Sequence, residues 1–347
     1  MKKDKYPLSL LLVLLLASCS SNTPAQKGSA EPSIIRSDIS EESHQEITGD
    51  EVDVILMAGQ SNMEGTTRAI SSDGNINYLY NYCNENALNY EQFTLGFENV
   101  QISHLTRNSA QFLNYSNQTN PIAGCFVPTK VGQGNSKSHF GPELGMAEQF
   151  NKELTDSNKK ICLIKYAAGG TGFTLSSGYN WKSPSSGATG TLYSQFLEFI
   201  QNSIDLLIED GYTPVIKAFC WMQGEDDAGN TMAASQYKTH LSNLVEDLFT
   251  NFHYYAPEQN KDKIAFVDAS IYDKDDSAWA YAYSINQAKK ELADSKPNYY
   301  YIDTTATGLD LDIKNPGGDI YHYNVGSMIK LGRAFASTLL YNDIISE

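Results

Sequence analysis

The sequence predicts a three-layer α/β/α fold around a central parallel sheet of about five strands. Two observations lead there. Short, mostly continuous apolar runs recur along the chain, as strands buried on both faces require. Between them lie segments with apolar residues three and four apart, the period of a helix with one buried stripe. Alternation of this kind folds through right-handed crossovers into a parallel sheet covered on both sides.

The strands are expected at residues 52–57, 161–167, 214–221, 264–268 and 299–303. One helix begins at Pro142, whose fixed φ suits the first helical position, and carries Leu144, Ala147, Phe150 and Leu154. A second carries Leu192, Phe196, Ile200, Ile204 and Leu207 and stops at Gly211. A third carries Tyr237, Leu241, Leu244, Leu248 and Phe252; the last carries Val325, Ile329, Gly332, Ala336 and Leu339. Residues 66–140, dense in Asn, Tyr, Ser and Gly, read as irregular. A loop region of that length is usually functional, and this one reads as a pocket wall. Residues 51–345 form one domain without internal repeats.

Ahead of it, Lys2, Lys3 and Lys5 precede an apolar-rich stretch at residues 8–17, too short to span a bilayer as a mature helix. Leu16-Ala17-Ser18-Cys19 resembles the lipobox of bacterial lipoproteins. That resemblance implies a signal peptide at residues 1–18, a lipidated Cys19, and export to the cell envelope on a lipid anchor. Residues 19–50, rich in Ser, Glu, Pro and Thr, bury too little to fold and read as a flexible tether. The chain of 347 residues has a net charge of −16; without three lysines and one aspartate of the leader, 22 basic residues face 40 acidic ones, a net of −18. Such a surface disfavours nucleic acid and anionic headgroups, leaving the anchor on Cys19 as the expected membrane contact. Cys83 and Cys125, both in the loop-rich region, can form a disulfide in an oxidising compartment, whereas Cys162 and Cys220 lie in separate strands and read as buried thiols. No Cys/His spacing resembles a zinc site, and Asp226, Asp227, Asp310 and Asp312 lack a calcium-loop pattern and read as solvated surface.

Three distant patches carry the chemistry. Gly59-Gln60-Ser61-Asn62-Met63 follows the first strand, Trp221-Met222-Gln223-Gly224-Glu225 follows the third, and Asp319-Ile320-Tyr321-His322 precedes the last helix. Open α/β sheets bind ligands at such carboxyl-edge positions. A nucleophilic serine needs a base, the base an orienting acid, and the developing oxyanion fixed donors. Ser61 opens a helical turn just past a strand. His322 can take its proton at Nε2 while Asp319 accepts Nδ1–H. Gly169-Gly170-Thr171 ends the second strand, where glycine lets an N–H approach a ligand, and the Gln223 amide can donate to the same oxyanion. Each patch alone has a structural explanation, from N-cap serine to strand-end turn; in combination they point to hydrolysis.

Together the patches resemble the SGNH hydrolase superfamily, with its flavodoxin-like sheet, and more closely its sialate O-acetylesterase-like branch, which includes the carbohydrate esterase family 6 acetylesterases. The resemblance covers most of residues 52–340 in order. It implies Ser61 as nucleophile, His322 as general base and Asp319 as its orienting acid. It implies an oxyanion hole from the Ser61 and Gly170 N–H groups and the Gln223 amide, supported by Gln60, Asn62 and Gly169. It also implies an acetylated carbohydrate as substrate, and no metal or cofactor. Where many members of the superfamily carry Gly-x-Asn-Asp, this chain has Gln223-Gly224-Glu225, and Glu225 is an extra carboxylate that helps hold His322 or fixes the loop. Trp181, shortly after Gly170, is the expected sugar platform, with Trp279 a second aromatic of that kind. His44, His104, His139, His240 and His253 read as ordinary loop or helix residues, although His139 lies near the expected pocket wall. Two other readings stay open on sequence: a lipase or thioesterase with longer acyl substrates, and a surface lipoprotein that binds glycans without turning them over.

Overall fold

The structure, a computed structural model, describes residues 49–106, 125–156, 159–174, 178–274, 278–315 and 318–346. The expected leader, Cys19 and nearly all of the tether lie outside the described residues. Along the chain run β1 (Asp50–Gly59), α1 (Ser61–Glu64), β2 (Thr67–Arg68), α2 (Tyr78–Glu85), α3 (Tyr90–Leu95), β3 (Phe97–Thr106), β4 (Val127–Thr129), β5 (His139–Phe140), α4 (Pro142–Glu153), β6 (Ile161–Ala167), α5 (Thr191–Glu209), β7 (Tyr212–Met222), α6 (Thr231–Asn251), β8 (Ala265–Ala269), α7 (Ala282–Ala293), β9 (Tyr299–Ile302) and α8 (Val325–Tyr341). Seven strands form one sheet in the order β4-β3-β6-β1-β7-β8-β9, parallel except for β4, which runs antiparallel to β3 at the edge. β2 and β5 pair as a small separate ladder.

All five expected strands are present, but the sheet is wider than five. Both additions, β3 and β4, come from residues 66–140. In β3 the buried Phe97, Val100, Ile102 and Leu105 are interrupted by polar or half-exposed residues, so no continuous apolar run marks it. It lies between β6 and the edge strand β4. Helix α7 was also illegible as an apolar stripe, because its buried face includes Asn286 and Lys289. Among the described residues no helix is long and apolar enough to cross a membrane.

Side-chain alternation assigns the layers. On β6, Lys165 pairs with Glu143 of α4, while its neighbour Tyr166 stacks on Phe196 of α5. Consecutive strand residues point to opposite faces, so α4 and α5 cover opposite sides of the sheet. On β7, Phe219 also meets Phe196, and Trp221 donates to the Tyr237 hydroxyl of α6. On β8, Phe266 lies against Phe219, and Asp268, two residues on, takes Lys289 of α7. α5, α6 and α7 therefore share one face over an aromatic core. α8 joins α4 on the other, approaching so closely that a Cβ on Gly332 would lie 2.1 Å from the Pro142 carbonyl oxygen and one on Gly145 2.2 Å from that of Ile329.

Cys83 and Cys125 are not joined to each other, which corrects the disulfide expectation. Cys83 is buried on α2, where burial pushes its thiol up to about 11, whereas Cys125 sits half-buried ahead of the edge strand β4. Cys162 and Cys220 are buried thiols in β6 and β7. The acidic residues expected on a solvated surface are partly inside: Asp227 is fully buried and Asp312 pairs with Arg68 at 2.9 Å.

Register positions the site. Gly59 at the end of β1 lies opposite Ala167 of β6 on one side and Met222 of β7 on the other. Three adjacent strands thus end level, and the residues that follow them leave the sheet side by side. Gly59 has φ +149°, and a Cβ there would lie 2.0 Å from the Met222 carbonyl oxygen, so only glycine fits. The Gln60 N–H then donates to that same oxygen at 3.0 Å, turning the chain out of the sheet into α1.

Candidate active site

Ser61 is the first residue of α1, 8 % exposed at the rim of an open cleft of about 610 Å³. Around it stand Glu64, Gly169, Gly170, Trp279, Tyr321 and His322. A larger hollow of about 810 Å³ opens among Val52, Leu154, Cys162 and Tyr212, beside the amino ends of β1, β6 and β7, and lacks any Ser–His–Asp set. Size alone would have chosen the wrong end of the sheet.

His322 Nδ1 lies 2.6 Å from Asp319 Oδ2, while Asp319 Oδ1 accepts the N–H groups of Tyr321 and His322 at 2.8 and 3.2 Å. One carboxylate therefore fixes both the loop and the ring it carries. Burial pushes the Asp319 carboxyl up, but the bonds from the His322 ring and the two N–H groups outweigh it and hold the group below the usual carboxylate range. An ionised Asp319 keeps the proton on Nδ1 and leaves Nε2 as an acceptor facing the cleft. Ser61 and His322 share that cleft without a direct hydrogen bond; such contacts commonly tighten only when substrate is bound.

Asn62 ties the loops that carry Ser61, Glu225 and His322 together. Its Nδ2 donates to Glu225 Oε1 at 2.8 Å and to the Tyr321 carbonyl at 3.4 Å, and its Oδ1 accepts the Tyr323 N–H at 3.3 Å. The two tyrosines flank His322. The Thr67 hydroxyl adds a bond to the Tyr323 carbonyl at 2.8 Å. The segment carrying Ser61 thus grips the segment carrying His322 on both sides of the ring. Glu225 makes no direct bond to His322; buried, with burial pushing its carboxyl up despite the Asn62 bond, it serves as the anchor that Asn62 holds.

Gln223 is a correction. Its side chain is fully buried, and its Nε2 contacts Gln60 Oε1 at 3.2 Å, the Thr171 carbonyl at 3.1 Å and Asp227 Oδ2 at 2.9 Å. An amide has two N–H donors, and both are engaged inside the protein, so neither reaches the cleft. Gln60 has a matching structural place, its Oε1 also accepting the N–H groups of Gly224 and Asp226. Asp227, which burial pushes up to about 6, completes the knot by accepting the Phe173 N–H. Two of the expected donors do border the cleft. Ser61 N–H opens α1 and has no turn before it to accept it, and Gly170, at φ +65°, has no acceptor for its N–H among the described residues. The Gly169 N–H is engaged at 2.7 Å by Glu64 Oε2.

Glu64 went unnoticed in the sequence, although Ser-x-x-Glu at a helix start marks a carboxylate returning to that start. Here it reaches across to β6 instead. Trp181 is also corrected. It is fully buried, with Nε1 on the Thr171 hydroxyl at 2.9 Å and its ring edge-on to Trp221, so it belongs to the core. Trp279 is the tryptophan that borders the cleft. A second lobe of about 420 Å³ continues past His322, lined by Arg68, Asn135, His139 and Asp319. There burial, then the positive charge of Arg68, depress the basicity of His139.

The fold and this constellation define a serine-type esterase on a three-layer α/β/α scaffold. Residues 51–341 match the family described as carbohydrate esterase, sialic acid-specific acetylesterase, and the chain belongs to that family. Membership makes it a carbohydrate esterase. Two solved structures are similar in fold. A protein from Arabidopsis thaliana aligns with a TM-score of 0.55 at 17 % identity over 84 % of this chain and 98 % of its own. NanS aligns with a TM-score of 0.55 at 14 % identity over 85 % of this chain and 98 % of its own. No curated protein sequence matches the chain.

The Asn62 grip has a kinetic consequence. Asn62→Ala should lower kcat for p-nitrophenyl acetate by about 10–100-fold with little change in KM, because a small displacement of His322 costs rate more than binding. Steady-state kinetics on folded variant would check it; wild-type kcat with an altered KM would reject the role given to Asn62.

Proposed function

We propose that this esterase removes O-acetyl groups from sugars, sialic acids among them, through an acetyl-Ser61 intermediate. The observation that carries the reading is the 2.6 Å contact between His322 Nδ1 and Asp319 Oδ2 on the cleft that Ser61 borders. Ser61 Oγ attacks the acetyl carbonyl carbon as His322 Nε2 takes its proton, with Asp319 stabilising the imidazolium that forms. The tetrahedral oxyanion is held by the Ser61 and Gly170 N–H groups, a two-donor hole in place of the three donors expected with Gln223. Collapse breaks the bond to the sugar oxygen, which leaves with the proton from His322. Water then attacks the acetyl-enzyme, giving its proton to His322, and acetate departs as Ser61 is restored. The hydrogen-bonding groups that border the cleft beside Ser61 and the family of the chain support a carbohydrate as the alcohol part.

Ser61→Ala should reduce p-nitrophenyl acetate hydrolysis about 10⁴-fold or more while leaving the circular dichroism spectrum unchanged; a variant keeping most of its rate would remove Ser61 from the mechanism. The pH dependence has a definite sign. Asp319, held below the usual carboxylate range, keeps its charge into the acid range, so an acid loss of rate reports the base and not its orienting carboxylate. kcat/KM should therefore fall towards acid, because a protonated imidazole cannot accept the Ser61 proton, and a profile flat throughout the acid range would contradict a histidine base.

We further propose that Cys19 carries a lipid anchor and that the esterase works outside the cytoplasm, a reading supported by Leu16-Ala17-Ser18-Cys19 behind a basic and apolar leader. Cys19→Ser should move the protein from the detergent phase to the aqueous phase on Triton X-114 partition; a variant that still partitions with detergent would exclude this anchor.

A further inference from the structure

The cleft has two unlike walls. One is aromatic. Trp279, half-buried, packs on Tyr321 with ring centroids 5.4 Å apart and planes at 46°. Tyr321 is 45 % exposed, and its ring stands edge-on to that of His322 with centroids 6.4 Å apart. The aromatic surface thus runs directly into the proton acceptor. The other is polar, with Glu64, Thr66 and Asn135, and Gly169 and Gly170 add no side chain to the lining.

The polar groups are not equally available. Glu64 Oε2 already holds the Gly169 N–H, and the Thr66 hydroxyl donates to the Ser61 carbonyl. Asn135 is tied down only through its backbone, whose N–H donates to the Gly65 carbonyl at 2.9 Å. Its half-exposed side-chain amide borders both lobes of the cleft and has no partner among the described residues. An amide so placed can both donate and accept, which suits a hydroxyl.

A pocket for an acyl chain would be apolar throughout, whereas this one combines aromatic rings with hydrogen-bonding groups. A pyranose ring has that same division: C–H bonds on its face and hydroxyls around its rim. Exposed aromatic rings with apolar bodies and polar tips suit such a ligand. Within the carbohydrate reading above, we propose that Trp279 and Tyr321 form the stacking wall for the sugar ring and that Asn135 binds a ring hydroxyl. The cleft thereby prefers acetylated pyranosides to simple acyl esters, and the discrimination lies in the alcohol part of the ester.

The test compares two acetate esters by acid release in a pH-stat: an O-acetylated methyl glycoside, and ethyl acetate, which has no ring to stack. In Trp279→Ala the ratio of kcat/KM for the glycoside to that for ethyl acetate should fall about tenfold, and in Asn135→Ala several-fold, chiefly through KM for the glycoside. A proportional loss on both esters would make the wall structural and overturn the proposal, as would an unchanged ratio in both variants. A hexanoyl ester that suffers more than the glycoside in Trp279→Ala would also overturn it, by assigning the wall to an acyl chain. Wild-type protein that hydrolyses ethyl acetate but no acetylated sugar would instead defeat the carbohydrate reading itself, before the wall came into question.

Discussion

The level ending of β6, β1 and β7 sets the geometry of everything above the sheet. Parallel hydrogen bonding places Gly59 between Ala167 and Met222, so the loops that follow emerge as neighbours although more than 100 residues separate the first from the second. The close approach at Gly59, where no Cβ fits, lets the first of these loops turn immediately and present Ser61 at the rim. A one-residue slip in either ladder would displace the glycines after β6 or the Gln223 knot after β7 from Ser61, and every side chain on the slipped strand would change face. The hydrophobic pattern of β1, buried on both sides, opposes that slip.

The fourth loop, with Asp319 and His322, has no strand to aim it, and hydrogen bonds do that work. Asn62 and Thr67 hold the backbone on both sides of the ring, and α8, packed on α4 through Gly332 and Gly145, fixes the end of the same loop. Under the sheet edge, Lys165 and Glu143 form a fully buried ion pair, and Lys165 also donates to the carbonyls of Glu64 and Gln133. It joins the end of α1 to the turn that carries Asn135. Breaking such a pair by removing one partner typically costs about 3–5 kcal/mol, several times the net worth of about 0.5–1.5 kcal/mol of a neutral hydrogen bond. The segments that carry Ser61 and His322 thus rest on interactions costly to rearrange, while the His322 ring stays at the solvent-facing lip.

The sequence made the central strands legible because residues 161–167 and their counterparts are apolar on both faces, and it made the acid–base pair legible because Asp-x-x-His closes within one turn. It concealed β3, whose polar residues look like loop when sheet neighbours are unknown, and α7, whose buried face carries Asn286 and Lys289. Gln223 and Trp181 mark a different limit. Their residue types suit an oxyanion donor and a sugar platform, but side-chain direction decides which, and both point into the interior. Asn62 was legible as part of a patch and not as a clamp, because its partners lie 163 and 259 residues away.

Convergence of Ser61 and His322 into one reacting pair is the claim on which the chemistry rests, and covalent trapping tests it most directly. Wild-type protein treated with a fluorophosphonate and mapped by peptide mass spectrometry should carry one adduct, on Ser61, and His322→Ala should all but abolish labelling. An adduct on another residue, or equal labelling of Ser61 without the imidazole, would contradict the account.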